Sequence, residues 1–374
     1  MKFSTTCGAL LKVLSKANKV VPSKSPLPIL DHLLLDVSGS SLTVTATNLE
    51  ITMLVSLNVK GNTNGKIAVP AYLFTNTISA LPQNMNVTFS ADIAKKQIVL
   101  TTEKGTYHLT GQNAEDFPKT NDVSAGKEIS FASDKLQRVI SKTSFAASTD
   151  ELRPSMTGIL FDFGGNELRC VATDGHRLVK VTLQSIGSKE KREVIIPQKA
   201  LSILNGILDE ANCSVAFDEQ QAKFSFGTTI MYTRLITDKY PNYDAVIPTD
   251  NDKEMRVSRE DILSSVRRVG LYTSADTRQI RFSIKRNQMT VVAEDVGLSG
   301  GNSSANEELV CEYKNDAIDI GFNANYISDV LSHLDGEEII FSFSSPTRAA
   351  MAKPAKNEEK EEILMLVMPI RLNS

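Results

Sequence analysis

The sequence predicts an α+β protein built of three similar domains. Two observations carry that prediction: a pattern of strands and amphipathic helices that recurs three times, and a spacing between recurrences that is nearly constant. Met1 to Val21, Lys127 to Ser148 and Glu254 to Ser274 each read as a short strand running into an amphipathic helix, and Leu10, Leu136 and Ile262 hold equivalent places 126 residues apart. The strand Leu42-Thr-Val-Thr-Ala-Thr-Asn48 matches Leu168-Arg-Cys-Val-Ala-Thr-Asp174, again 126 on, and Met289-Thr-Val-Val-Ala-Glu-Asp295 follows after 121.

A third element recurs in step. Val69-Pro70, Ile196-Pro197 and Phe322-Asn323 each close a strand and open a helix, with proline expected at a first helical position in two of them. Those helices end in Leu81-Pro82, Leu208-Asp209 and Leu334-Asp335. Each repeat therefore reads as strand, helix, several alternating strands, helix and further strands, with period-two alternation clear in Asn86-Val-Thr-Phe-Ser90 and Glu338-Ile-Ile-Phe-Ser-Phe343. A chain of 374 residues, 41% hydrophobic and 23% charged, has enough apolar side chains for several cores. The expected domains are 1–122, 127–249 and 253–374, joined by polar, turn-rich stretches near Asn121 to Gly126 and Thr249 to Lys253. Domains of this length exceed solenoid repeats, which run about 20 to 50 residues.

Composition narrows the function. No leader pattern opens the chain and no apolar run approaches the ~18 residues of a membrane helix, so a cytoplasmic protein with no membrane contact is expected. The four cysteines, Cys7, Cys170, Cys213 and Cys311, lie far apart without a Cys-x-x-Cys pair and read as core-filling thiols, with no metal or other cofactor expected. Phosphate-loop, nucleophile-elbow and zinc-helix signatures are absent, and the four histidines are scattered. Asp174 and His176 alone do not complete a catalytic site, so the chain reads as a non-enzyme.

The formal net charge of −3 confines any contact with nucleic acid to a locally basic face. Such a face exists: Lys12, Lys16 and Lys19 fall within about 60° of arc at ~100° per residue, opposite Leu10, Val13, Leu14 and Ala17. Lys135, Arg138 and Lys142 line the second helix in the same way, and one basic position runs through Lys16, Lys142 and Arg268. Cations without interleaved aromatics, in a chain without tryptophan, suit sequence-independent contact with duplex phosphates rather than base stacking or base readout.

The segment Ala172-Thr-Asp-Gly-His-Arg-Leu178 interrupts a regular strand pattern with an Asp-Gly turn signal. It resembles a signature of bacterial DNA polymerase III β subunits, the DNA sliding clamps. Leu27-Pro-Ile-Leu30 and Met368-Pro-Ile-Arg-Leu372 resemble two more, with matching order and spacing across essentially the whole chain. The resemblance implies a DNA-clamp fold closed as a ring-shaped head-to-tail homodimer, which encircles duplex DNA and tethers the polymerase for processivity. It implies as further partners the DNA polymerase III α subunit, the clamp loader and other proteins carrying a clamp-binding peptide with a glutamine and a leucine/phenylalanine end.

Residue by residue, the resemblance assigns the peptide cleft to Met156, Thr173, Gly175, His176, Arg177, Leu178, Pro241, Val246, Leu366, Met368, Pro369 and Arg371. Independently of family, apolar and adaptable methionine side chains suit such a cleft, and Arg177 and Arg371 could bond peptide carbonyls at its rim; a plain edge strand on a core is the alternative for Met368 and Pro369. Expected DNA contacts are Lys24, Arg153, Gln198 and Lys199, beside Lys12, Lys16, Arg138, Lys142 and Arg268 on the helices. Pro154 and Ser155 depart from the family's aromatics, and Gln198 and Ala245 from its arginines. The dimer contact is expected to join Tyr107 and Leu109 to Leu271 and Tyr272, and Lys353 to Glu362 to form a mobile charged loop. A peptide-binding scaffold independent of nucleic acid, or an enzyme with an unrecognised site, are the competing readings.

Overall fold

The structure is a computed structural model of the 374-residue chain. It describes all residues except 120–122, 124–127, 185, 187–190, 297–301 and 373–374, and all side chains of those except 62, 295, 296 and 302. The expected boundary at Asn121 to Gly126 therefore lies outside the described residues, Val123 excepted.

Six α-helices occur among the described residues: α1 Cys7–Ala17, α2 Ala71–Ser79, α3 Ser133–Thr143, α4 Gln198–Asn205, α5 Arg259–Val269 and α6 Ala324–His333. Each repeat contributes two. Residues just before the helices accept the orphan N–H groups of the first turn: Thr6 from Ala9 N–H at 3.3 Å, Ser258 from Asp261 N–H at 3.3 Å, and Asn323 from Asn325 N–H at 2.9 Å. Pro70 and Pro197 end strands immediately before α2 and α4 instead of occupying the first helical turn; both strands lie at the edge of their sheets, where a residue without an N–H is tolerated.

The apolar stripe of α1 (Leu10, Val13, Leu14, Ala17) and those of α3 (Leu136, Val139, Ile140) and α5 (Ile262, Val266, Val269) are buried. Each fully buried Leu, Ile or Val side chain contributes about 1.5–3 kcal/mol of transfer free energy, which outweighs the modest helix propensity of these short segments. All four cysteines are buried, unbridged thiols.

The chain divides into two compact units, Met1–Gln137 with Lys199–Leu235, and Arg138–Gln198 with Ile236–Ser374. Two antiparallel sheets lie in the first. One has five strands in the order Lys60–Thr63, Lys2–Thr6, Asn86–Asp92, Gln97–Thr101 and Thr106–Thr110. The other has eight and runs from the first repeat into the second, because Ile51–Asn58 pairs with Thr229–Arg234 in the register Met53↔Met231.

The second unit repeats this arrangement. Its nine-stranded sheet runs from the second repeat into the third, where Arg177–Gln184 pairs with Glu361–Val367 in the register Val179↔Met365. Its four-stranded sheet has the order Asn302–Val310, Gln288–Val296, Gln279–Lys285 and Ile318–Asn323. The second repeat thus gives strands to both units.

The segment Lys353 to Glu362 is not the free loop expected from its charge. Lys353 and Pro354 pair with Ile340 and Ile339, and Glu361 opens the strand Glu361–Val367 with its side chain buried. The partly buried Arg138 compensates the buried carboxylate.

Candidate functional site

The Asp-Gly signature is a tight turn between two strands. Asp174 Oδ1 accepts from the backbone N–H groups of His176 (2.8 Å) and Arg177 (2.9 Å), and Gly175 adopts φ +90°, a conformation that strains any residue with a Cβ. Thr173 Oγ1 donates to Arg177 O at 2.7 Å and accepts from Gly175 N–H at 3.1 Å, closing the turn.

This turn aims Arg177 inward. Its guanidinium donates to Asp174 Oδ2 (3.1 Å), to Phe145 O (2.7 Å) and to Asp329, and lies over the rings of Phe145 and Tyr326. Three of the five N–H donors of the guanidinium are thereby taken by the chain itself. His176 stacks on Tyr326 at 5.6 Å, exposed beside a cavity of about 570 Å³ that Arg153, Asp174, Arg177, Gln198 and Tyr326 also line. Arg153 and Gln198, expected as DNA contacts, share this cavity with the expected peptide residues His176 and Arg177.

One residue further along, Leu178 stands opposite Leu366 on the neighbouring strand. Both belong to a buried cluster with Leu160, Val171, Tyr240, Tyr243 and Ala349, against which Ile247 packs. Tyr240 donates its hydroxyl to Val171 O at 3.2 Å, and Tyr243 reaches Asp162 Oδ2 at 3.5 Å; desolvation pushes both phenols up from their ordinary range. These two anchors fix the segment carrying Val246. Val246 and Met368, 52% and 40% exposed, line a groove of about 510 Å³ with Ala245, Ile247, Pro248 and Arg348.

Met368 donates its backbone N–H to His176 O at 2.8 Å, which ties the C-terminal segment to the Asp-Gly turn. Met156 and Thr173 are buried, Pro369 is half-buried, and Pro241 and Arg371 are exposed. The sequence reading missed Phe145, Tyr240, Tyr243 and Tyr326; the Tyr-Pro-Asn-Tyr run at 240–243 was the available signal for two of them.

The expected basic face separates into two kinds of cation. Lys12, Lys24, Lys199 and Arg268 are exposed, as is Arg153, whose Nε donates to Asp150 at 2.8 Å. Arg138 and Lys142 are not: their side chains are 21% and 11% exposed. Arg138 forks onto Glu361 (2.7–3.0 Å) and reaches Asp335 (2.5 Å), while Lys142 donates to Asp335 Oδ1 (2.6 Å) and His333 O (2.7 Å). Hydrogen bonding to Glu361, the largest effect, pushes the Arg138 guanidinium further up from its ordinary value, against desolvation, which lowers it. These two cations compensate carboxylates of the third repeat, which corrects their expected place on a solvent-facing basic surface.

Of the expected dimer residues, Leu271 and Tyr272 are 80% and 46% exposed, whereas Leu109 is 7% exposed and packs into its own sheet. Tyr107 is half-buried on the same edge strand, Thr106–Thr110, which has a neighbour on one side only. Asn302–Val310, at the rim of the four-stranded sheet, is likewise paired on one side. Leu109 is an inward-facing residue of a half-buried strand, and alternation along Thr106–Thr110 places it there.

Three repeats, each with two helices and antiparallel strands, joined by sheets that run from one repeat into the next, define a three-domain sliding-clamp fold. Residues 1–121, 130–242 and 244–371 match the N-terminal, central and C-terminal domains of the DNA polymerase III beta subunit. The chain belongs to the DNA polymerase III beta subunit family. It is 28% identical to the beta sliding clamp of Pseudomonas aeruginosa over 376 residues, covering 100% of both chains. It is 29% identical to that of Streptococcus pneumoniae over 385 residues, covering 99% of both. The crystal structure of the DNA polymerase III subunit beta from Pseudomonas aeruginosa superimposes with a TM-score of 0.94 at 28% identity, covering 100% of both chains.

Proposed function

We propose that two copies of this chain close head to tail around duplex DNA in the cytoplasm and that the ring holds its partners through the groove beside Val246 and Met368. One observation carries the ring. Each repeat joins the next by a strand of fixed place: Ile51–Asn58 pairs with Thr229–Arg234, and Arg177–Gln184, 126 residues on, pairs with Glu361–Val367. A further step of the same length reaches Asn302–Val310, whose outer edge is open, and the counterpart in the first repeat is the open edge Thr106–Thr110. Two open edges of complementary place on one chain make a heterologous contact, and such contacts close rings when the rotation permits. Leu271 and Tyr272 then supply exposed apolar area to the contact.

Within the ring, Lys12, Lys24, Arg153, Lys199 and Arg268, with Gln198 beside them, contact phosphates without reading sequence, while Lys16, 16% exposed and bound to Asp209, stays with its carboxylate. Arg138 and Lys142 support the helix that carries them rather than the DNA. The polymerase III α subunit, the clamp loader and other partners insert a glutamine- and leucine/phenylalanine-containing peptide into the groove. Its floor is the Leu178 and Leu366 cluster, its wall Val246 and Met368, and its neighbouring polar cavity His176, Arg153 and Gln198. The test is topological: protein loaded on nicked circular DNA stays bound and leaves when the circle is cut. Equal retention on circle and linear DNA would exclude encirclement.

A further inference from the structure

Backbone hydrogen bonds register the three repeats without a gap in this region. Cys7 N–H donates to Met85 O at 2.8 Å, Ser133 N–H to Ala211 O at 2.9 Å, and Arg259 N–H to Glu337 O at 2.8 Å. Donors and acceptors both advance by 126 residues at each step. In that register Lys12 and Lys16 correspond to Arg138 and Lys142 and then to Ser264 and Arg268, while Asp209 and Asp335 correspond to Gln83.

The side chains follow the same register. Lys16 Nζ lies 2.7 Å from Asp209 Oδ1, with Lys12 Nζ 3.9 Å from its Oδ2; Lys142 Nζ lies 2.6 Å from Asp335 Oδ1, with Arg138 Nη2 2.5 Å from its Oδ2. In both places two cations one helical turn apart, on the first helix of one repeat, hold a single carboxylate just beyond the second helix of the next. The Lys16 and Lys142 side chains are only 16% and 11% exposed, so solvent screens these pairs less than ordinary surface ion pairs.

The third repeat is the last of the three in the sequence. Its first cation position is Ser264, and Arg268 forks instead onto Glu307 of its own repeat at 2.7 and 2.6 Å. At the receiving end of the series, position 83 carries an exposed glutamine.

We propose that Arg268 and the Gln83 of a second copy meet at the junction between subunits, and that this junction, unlike the two described within the chain, is built without the two-cation, one-carboxylate clasp. The proposal rests on the head-to-tail reading above and adds to it a reason for unequal junctions. Within a chain, strand pairing and a charge clasp act together; between copies, strand edges and apolar contacts act without that clasp, and subunits exchange the more readily for it.

The experiment places the absent carboxylate. Gln83→Asp and the uncharged control Gln83→Asn are each prepared with donor and acceptor dyes, and subunit exchange is followed by energy transfer at low and high salt. Gln83→Asp is expected to exchange about five-fold more slowly than the parent at low salt, an advantage largely lost at high salt as the new pair is screened. Gln83→Asn should match the parent, and adding Arg268→Ala to Gln83→Asp should remove the gain. A dimer in which Gln83→Asp and Gln83→Asn exchange at the same rate at both salt concentrations would overturn the proposal and leave the head-to-tail reading intact. A parent protein that sediments as a monomer would overturn both.

Discussion

Arg138 and Glu361 lie 223 residues apart in sequence and form a two-pronged ion pair, with both Arg138 Nε and Nη2 donating to a carboxylate that is 1% exposed. The pair converts a basic helix position of the second repeat into an internal support of the third. Breaking it leaves a buried charge without its counter-ion, which costs about 3–5 kcal/mol at buried sites. Arg138→Ala is therefore expected to lower the urea midpoint of unfolding by an amount equivalent to about 3 kcal/mol. A midpoint within error of the parent would mean that the pair is dispensable.

The exposed cations should behave oppositely. Lys24→Ala and Lys199→Ala are expected to leave the unfolding midpoint unchanged and to weaken DNA binding equally for all sequences. Each should flatten the slope of log affinity against log salt by about 0.9. Titrations at several salt concentrations check this, and an unchanged slope in both variants removes them from the phosphate contacts.

The groove permits a similar separation of stability from binding. Leu178 is 1% exposed, so Leu178→Ala opens a cavity and is expected to cost about 2–5 kcal/mol of stability. Val246 and Met368 are partly exposed, so Val246→Ala and Met368→Ala should leave the melting temperature nearly unchanged while weakening a labelled partner peptide about ten-fold by fluorescence anisotropy. Undiminished peptide affinity in both would move the partner site elsewhere.

At the proposed dimer contact, Leu271→Asp places a charge at a residue that is 80% exposed in the single chain. Sedimentation is expected to give folded monomers. Leu109→Asp instead buries a charge in the five-stranded sheet and should unfold the first repeat, visible as a loss of cooperative melting. A folded dimer in the Leu271 variant would place the contact elsewhere.

Asp335 is subject to desolvation, which pushes its carboxyl up, but hydrogen bonds and charge from Lys142 and Arg138 prevail and hold it below the ordinary carboxylate range. A carboxyl depressed in the folded state contributes stability that is present above its unfolded value, about 3.9, and is lost as the pH falls through the folded value. The parent should therefore lose melting temperature more steeply than Asp335→Asn as acid is added below about pH 4. Parallel curves for the two proteins would assign the acid response to other groups.

The repeat, its 126-residue step, the strand and helix elements, the apolar helix stripes and the Asp-Gly turn are all legible in the order of residues along the chain. These features are local or periodic: a buried face repeats every two residues along a strand and about every 3.6 along a helix, and a turn that needs φ above zero selects glycine. Tertiary structure alone decided which charges are spent internally. Lys142 and Arg268 are equivalent in the repeat and both basic, yet one meets Asp335 nearly two hundred residues away and is buried, whereas the other turns to Glu307 and stays exposed. It also decided that Leu109 fills a core while Leu271 faces solvent, and that Arg177 is held by Asp174, Asp329 and two aromatic rings. The physical reason is the same in each case: the desolvation and pairing of a side chain depend on which distant segment the sheet register brings beside it, and that information is absent from the spacing of residues along one strand or helix.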